Sequence, residues 1–251
     1  MEEMLSREVR LLGKDSVEAI RRSRVLLFGV GGVGGWCAES LVRSGIGHLT
    51  IVDCDHVSET NRNRQVVATS RTVGRVKVEA MKERLLELNP DASITALDMA
   101  YSEETAQEFH LEEYDYVIDA IDSLKDKLHL ILHATGIPTV TFFSSMGAAL
   151  RTDPFKVRRT EFWKVKDDPL AAALRHRMRH RKMFPARKFM CVYSEELPQP
   201  NRGADDVFEE KIEGKAQING TIAHVVAIFG FSLAGMVIED IVAKSVSGLP
   251  G

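Results

Sequence analysis

Apolar residues occur in short unbroken runs up to residue 150 and in one long run near the C-terminus. Arg24-Val-Leu-Leu-Phe-Gly29 predicts a short buried strand closed by glycine. Gly29-Val-Gly-Gly-Val-Gly34-Gly35 predicts a turn, residues 36–44 a helix, Gly45-Ile-Gly47 a second turn, and His48-Leu-Thr-Ile-Val-Asp53 a strand ending in an acid. Strand, helix and strand within about thirty residues are the size of a parallel crossover. Residues 73–89 carry Val76, Ala80, Leu85 and Leu88 at helical spacing and stop at Asn89-Pro90. Further expectations are a strand at 93–97, a short helix at 102–109 capped by Ser102, and a strand Tyr114-Asp-Tyr-Val-Ile-Asp119 ending in an acid. A helix at 124–135 stopped by Gly136 and a strand at 138–143 complete the series.

Strands alternating with helices predict an α/β chain with a Rossmann-like, doubly wound, mostly parallel sheet. The rhythm breaks after Leu150, where Arg, Lys and Pro become denser. The expected organisation is a nucleotide-binding core at 1–150 and a basic, substrate-binding specificity insertion at 151–217. Residues 218–251 then form an apolar helix on the core or at a dimer interface. Within the insertion, 201–215 is polar and expected to be mobile.

Composition changes this picture little. A chain of 251 residues, 44% hydrophobic, can bury one sizeable core. A formal net charge of −3 gives no global attraction to nucleic acid, so a polyanion needs a local basic patch. Three scattered cysteines, Cys37, Cys54 and Cys191, fit a reducing cytoplasm and exclude a disulfide framework. No C-x-x-C is present, so a four-thiolate zinc site cannot be built. The first ten residues are charged and resemble no signal peptide. Residues 218–243 are apolar enough to raise the question of a membrane span. His224 interrupts the run and Glu239-Asp240 closes it, which favours a buried or interface helix.

The candidate chemistry sits after the first two strands. Gly29-x-Gly31-x-x-Gly34 follows a strand and opens a helix, so backbone N–H groups can approach phosphate. Asp53, 24 positions beyond Gly29, is placed for ribose hydroxyls. That much is shared by NAD, FAD and ATP users. The next segment separates them: Asp53-Cys-Asp55-His-Val-Ser-Glu-Thr-Asn61-Arg-Asn-Arg64-Gln65 is densely polar, and Lys77 follows. A hydride-transfer site has no use for this density. A triphosphate does: Arg64 can grip it bidentately and Lys77 adds a point charge. Asp122, in Asp119-Ala-Ile-Asp122-Ser123, faces the same crevice at a strand end and is placed to hold Mg²⁺ against the phosphates.

Together these motifs resemble the ubiquitin-activating-enzyme-like adenylation family, closely over residues 5–150. The resemblance implies ATP and Mg²⁺, with adenylation of a carboxylate. It implies nucleotide contacts at Gly29, Gly31, Gly32, Gly34, Asp53, Asp55, Asn61, Arg64, Gln65, Lys77, Asp122 and Ser123. Asp122 is the implied metal ligand, and Arg64, Lys77 and Asp122 are the implied catalytic set. Arg7, in Leu5-Ser-Arg7, matches an N-terminal arginine that reaches the partner subunit's ATP in a homodimer; Arg10 is its neighbouring rival. The implied location is cytoplasmic.

Substrate is the harder question. Members of the family that activate ubiquitin-like sulfur carriers usually carry paired C-x-x-C motifs and often a catalytic cysteine. Here the insertion holds only Cys191, in an apolar, strand-like setting that suits a buried structural thiol. Asp167-Asp-Pro-Leu-Ala-Ala-Ala-Leu-Arg175 and Cys191-Val-Tyr-Ser-Glu195 instead resemble the branch of the family that dehydrates threonylcarbamoyladenosine in tRNA. The tail departs from that branch at Lys215-Ala-Gln-Ile-Asn-Gly-Thr-Ile-Ala-His224, which leaves no cysteine role there. Arg175, Arg177, Arg179, Arg181, Lys182, Arg187 and Lys188 fall within fourteen positions without an acid, a pattern able to bind a phosphate backbone. The resemblance implies modified tRNA as partner and allows a sulfur-transfer or cysteine-desulfurase helper. A sulfur-carrier adenylyltransferase, a NAD-dependent redox enzyme and a non-catalytic tRNA scaffold are the rival readings.

Overall fold

Strands covered on both faces need near-continuous apolar runs, and such runs form the middle of one sheet in the computed structural model, which describes residues 3–203 and 219–247. Residues 204–218, which include most of the polar stretch expected at 201–215 and the start of the apolar run at 218, lie outside the described residues, as do 248–251. The chain opens with α1 (Ser6–Leu12) and α2 (Lys14–Arg22), followed by β1 (Arg24–Phe28), α3 (Gly34–Arg43) and β2 (His48–Val52). Then come α4 (Lys77–Leu88), β3 (Ser93–Leu97), β4 (Tyr116–Asp119), α5 (Leu124–Gly136) and β5 (Thr141–Ser145). After Leu150 the chain supplies β6 (Val157–Glu161), α6 (Pro169–Arg181), β7 (Met190–Ser194) and α7 (Ala223–Ser247). Seven strands lie in the order β3-β2-β1-β4-β5-β7-β6, all parallel except β6. The order turns back between β1 and β4, the switch point at which open parallel sheets bind ligands.

Alternation along each strand sends side chains to two cores. Val25, Leu27, Leu49, Ile51 and Ile118 meet the helices α3, α4 and α7 on one face. Leu26, Phe28, Val117, Phe142 and Cys191 meet α5 and α6 on the other. The residues after 150 thus continue the same sheet, with α6 packed beside α5. Asp168 caps α6 by accepting the Ala171 N–H at 2.8 Å, and Pro169 follows at the first helical position. Arg158 and Arg159 are exposed on the β6 edge, where charge discourages further strand pairing.

α7 is long and apolar enough to cross a membrane, but 56% of its most apolar window is buried inside this fold. Val225, Phe229, Leu233 and Val237 are fully buried, so its hydrophobicity serves the core. Gly230 is where α7 meets α3: a Cβ there would stand 2.4 Å from the Val33 carbonyl oxygen.

Four expected elements shift, each for a local reason. The helix expected at 102–109 is only a short 3-10 turn, Ala106–Phe109. Ser102 and Thr105 satisfy each other instead: the Ser102 N–H donates to Thr105 Oγ1 at 3.0 Å, and the Thr105 N–H donates to Ser102 Oγ. α4 starts at Lys77 rather than 73, because Gly74 turns the chain with φ +87°. β4 starts at Tyr116, since Asp115 is turned to accept the Arg24 N–H. β5 starts at Thr141, because the Arg187 guanidinium takes the carbonyls of Ile137, Pro138 and Val140.

Gly230→Val should lower the urea midpoint at unchanged slope, with a loss of roughly 1–3 kcal/mol or more from overpacking the α3–α7 contact. Gly235→Ala, on the same helix with nothing within 4 Å of its Cβ position, should leave the midpoint unchanged or raise it.

Candidate nucleotide site

The crevice at the switch point is built from the ends of β1, β2 and β4. Gly29 leaves β1 with φ +86°, and a Cβ on it would lie 2.8 Å from the Ala120 carbonyl oxygen. Gly34 is tighter still: its Cβ would sit 1.8 Å from the Gly29 carbonyl oxygen. These two glycines are therefore demanded by the turn itself. Gly31 and Gly32 differ, being partly solvent-exposed at the tip, just before α3. Among the described residues, no hydrogen bond uses the N–H groups of Gly31, Gly32 or Val33. Unpaired N–H groups at the start of a ten-residue helix are an anion-binding arrangement.

Asp53 holds this turn in place. Its Oδ2 accepts the Val30 N–H at 2.8 Å, and its Oδ1 accepts the Asp55 N–H at 3.0 Å and the Lys77 ammonium at 3.1 Å. Lys77 is 3% exposed and also donates to Asp55 Oδ2 at 2.8 Å. A carboxylate has about four acceptor positions, so Asp53 keeps one after these three bonds.

The loop after β2 brings Arg64 over the glycine tip, with its Cγ 3.6 Å from where a Gly32 Cβ would be. Arg64 donates to the Thr60 carbonyl at 2.9 Å and to Asn63 Oδ1 at 2.8 Å, while its own carbonyl accepts the Trp36 indole N–H at 3.2 Å. Burial pulls the Arg64 guanidinium below its usual value, and the nearby Asp122 carboxylate opposes that shift. Arg64 and Asp122 therefore share one electrostatic environment. Gln65 is buried beneath the tip with its Oε1 unpartnered, and its Nε2 lies 3.7 Å from the Gly31 Cβ position. Asn61 braces the loop by accepting the Ser58 N–H at 3.2 Å. Ser123 caps α5, accepting the Asp126 N–H at 3.4 Å, so this hydroxyl already has a structural task.

Two sets of expected residues lie elsewhere. Arg7 is exposed on α1, whose neighbour Leu5 packs on Gly45 at the start of the turn into β2. That is the end of β2 opposite the crevice, so Arg7 does not join its own chain's site. In the basic cluster, Arg175 donates to the Phe162 and Val165 carbonyls, and Arg187 binds carbonyls around the end of α5. Both use guanidinium donors inside the fold, whereas the side chains of Arg177, Arg179, Arg181, Lys182 and Lys188 make no such bond among the described residues.

Cysteine chemistry has no support here. Cys191 and Cys37 are buried, which pushes their thiols up. Cys54 is exposed, but partial burial and the Asp55 and Asp53 carboxylates raise its thiol too.

Residues 5–248 match the ThiF family. The chain belongs to the ThiF family. This ThiF-family chain is 37% identical to tRNA threonylcarbamoyladenosine dehydratase of Bacillus subtilis over 244 residues, covering 94% of the chain and 93% of that protein. The Escherichia coli protein of the same name is 34% identical over 251 residues. Crystal structures of the E. coli enzyme in complex with AMP and with ATP superpose at TM-scores of 0.86 and 0.85, at 30% identity, covering 98% of this chain and 96% of the other. Molybdopterin-synthase adenylyltransferase of E. coli is 34% identical over 158 residues, 61% of each chain.

One feature behind the crevice escapes any motif search. Asp119, Lys127 and Ser144 are fully buried, with Lys127 Nζ and Ser144 Oγ each 2.6 Å from Asp119 Oδ2. Asp119 Oδ1 accepts the Ile121 N–H at 3.1 Å, which orients the loop carrying Asp122. The available signal was a lysine on the apolar face of a helix, beside an acid closing a strand.

Lys127→Met should cost about 3–5 kcal/mol of folding stability, because it leaves the buried Asp119 charge uncompensated. Asp119→Asn in the same chain should restore much of that loss. Denaturant titration of the single and double variants measures both.

Proposed function

We propose that this chain is an ATP-dependent tRNA threonylcarbamoyladenosine dehydratase. The observation that carries the proposal is the match to enzymes of that name, over 94% of this chain, around a crevice in which Arg64 lies over a glycine tip with unused N–H groups. Similarity to the molybdopterin-synthase adenylyltransferase stops at 61% of the chain. ATP is a substrate: its phosphates lie on the Gly31–Gly32 tip, and a ribose hydroxyl takes the remaining acceptor position of Asp53. Gln65 Oε1, buried and unpartnered, is available to an amino or hydroxyl group of the nucleotide.

The threonyl carboxylate attacks the α-phosphorus and pyrophosphate leaves. Arg64 and Lys77 stabilise the charge that develops, a role in which positioning and electrostatics do most of the work. Lys77 must release part of its hold on Asp53 or Asp55 to serve the phosphates. A nitrogen of the same substrate then attacks the acyl-adenylate carbon. AMP departs with the carboxylate oxygen, the nitrogen loses its proton to solvent, and the ring closes with net loss of water. No enzyme nucleophile is required, in keeping with three raised thiols.

Mg²⁺ fits this donor set. Among the described residues there is no cluster of three or more metal-ligating side chains, and Mg²⁺ typically takes one or two carboxylates plus phosphate oxygens and water. Asp122 would hold it, and it would supply neutralisation of the phosphate charge. Because Arg7 lies at the far end of β2, we assign it to the crevice of a second copy in a homodimer. Arg177, Arg179, Arg181, Lys182 and Lys188 supply the tRNA-facing charge, and the whole acts in the cytoplasm.

Incubation with ATP, Mg²⁺ and threonylcarbamoylated tRNA should yield a modified nucleoside lighter by one water, by mass analysis of the digested tRNA. Arg64→Ala and Asp122→Ala should each slow this by about a hundredfold or more. An unchanged nucleoside, with adenylation of a Gly-Gly-tailed protein instead, would move the chain to the sulfur-carrier class. Equal mixing of inactive Arg7→Ala and Asp122→Ala proteins should restore part of the activity if Arg7 acts in trans. No recovery after confirmed subunit exchange would place Arg7 outside the site.

A further inference from the structure

Opposite the crevice, the second half of the chain carries an exposed aromatic surface that nothing in the proposed chemistry uses. Trp163 is 37% exposed and Phe184 is 54% exposed, and their ring centroids are 6.1 Å apart. The Arg179 guanidinium lies 5.7 Å from the Trp163 ring centroid. Exposed apolar residues scattered singly need no explanation, but two neighbouring aromatic rings, one of them under an arginine, do.

The surface is rigidly mounted. Trp163 stands edge-on against Phe162, at 5.4 Å and 70°, and Phe162 is fully buried and stacked on Phe189 at 4.9 Å. Arg175 covers Phe162 and ties the Phe162 and Val165 carbonyls to α6. Phe184 is delivered by a sharp helix end. Lys182 adopts φ +55°, its N–H donates to the Arg179 carbonyl, and the Met183 N–H donates back to the Met178 carbonyl at 3.0 Å. The aromatic pair is therefore held by fixed backbone at both ends.

Charge surrounds it. Lys164, Arg181 and Lys182 are exposed, and none of them pairs with a carboxylate among the described residues. Two neighbouring aromatic rings, one with an arginine above it, set in unpaired positive charge, match the requirements of single-stranded nucleic acid: bases stack on the rings while phosphates meet the cations. A duplex keeps its base faces covered and cannot use the rings.

We propose that Trp163, Phe184 and Arg179 form a stacking platform for unpaired RNA nucleotides distinct from the nucleotide that reacts. The separation follows from α6. Its N-terminal cap Asp168 binds the Gly147 N–H beside the end of β5, at the crevice edge, and its C-terminus lies beside the end of α5 at the opposite edge. Thirteen helical residues span about 20 Å. The platform rests on the dehydratase reading only for which RNA is bound; single-stranded affinity is a property of the surface itself.

The test uses the full-length protein, a fluorescein-labelled single-stranded RNA heptamer, an RNA duplex of similar charge, and anionic vesicles containing phosphatidylserine. Trp163→Ala should weaken binding of the single strand about tenfold and leave the duplex nearly unchanged, while Trp163→Phe keeps most of the affinity. The single strand should also quench tryptophan emission in the parent protein, and that quenching should vanish in Trp163→Phe, where Trp36 alone remains. Trp163→Phe thus answers the question even if the alanine variant misfolds. Equal binding of single strand and duplex with no quenching overturns the proposal, as does a Trp163 dependence confined to the vesicles. ATP–pyrophosphate exchange on modified tRNA is measured in parallel. Its absence with Trp163-dependent RNA binding intact sinks the dehydratase reading alone, and its presence without such binding sinks the platform alone.

Discussion

Three N–H donors from three separate segments end on the carboxylate of Asp53. Val30 brings the turn after β1, Asp55 the loop after β2, and Lys77 the start of α4. Side-chain exposures of 4% for Lys77 and 10% for Asp53 put this meeting in a poorly solvated place, where an unmatched charge is costly. The glycine tip, the polar loop and the first turn of α4 can therefore not drift apart without breaking a bond to this one carboxylate. Every functional proposal for the crevice depends on that constraint, since it decides where Arg64 and the tip stand relative to one another.

A second buried pair performs the same service on the other side. Lys127 and Ser144 hold Asp119 from α5 and β5, and Asp119 orients the backbone leading to Asp122. The two halves of the crevice are thus carried by two carboxylates on either side of β1, Asp53 after β2 and Asp119 closing β4. Such pairs add little net stability compared with apolar packing, but they confine geometry. A site whose chemistry is mostly positioning needs that confinement.

The second half of the chain completes the fold and keeps a charged outer surface. β6 and β7 extend the sheet and α6 closes the second core. The same segment sends its remaining cations and the Trp163–Phe184 pair outward. Of the dense arginine run, Arg175 and Arg187 donate to backbone carbonyls of their own fold, a use that charge counting alone does not distinguish from binding phosphate.

Local order was legible in the residues themselves. Apolar runs marked the strands at 24–28 and 48–52, because strands covered on both faces tolerate almost nothing else. Glycine spacing marked the turn, because φ +86° at Gly29 and a 1.8 Å approach at Gly34 leave no room for another side chain. The polar loop up to Gln65, with Lys77 and Asp122, was identifiable as one group from its order along the chain. Hidden from sequence were the relations among distant residues: that Lys127 meets Asp119, that Val226 of α7 backs Gly32, and that Arg7 sits at the far end of β2. Sequence by itself determined the strand-and-helix rhythm, the turn and the chemical types around it, since those follow from backbone sterics and side-chain polarity over a few residues. Only tertiary structure decided which cations were spent on carbonyls, which stayed at the surface, and which rings were left exposed, because burial and pairing depend on where the sheet brings remote segments together.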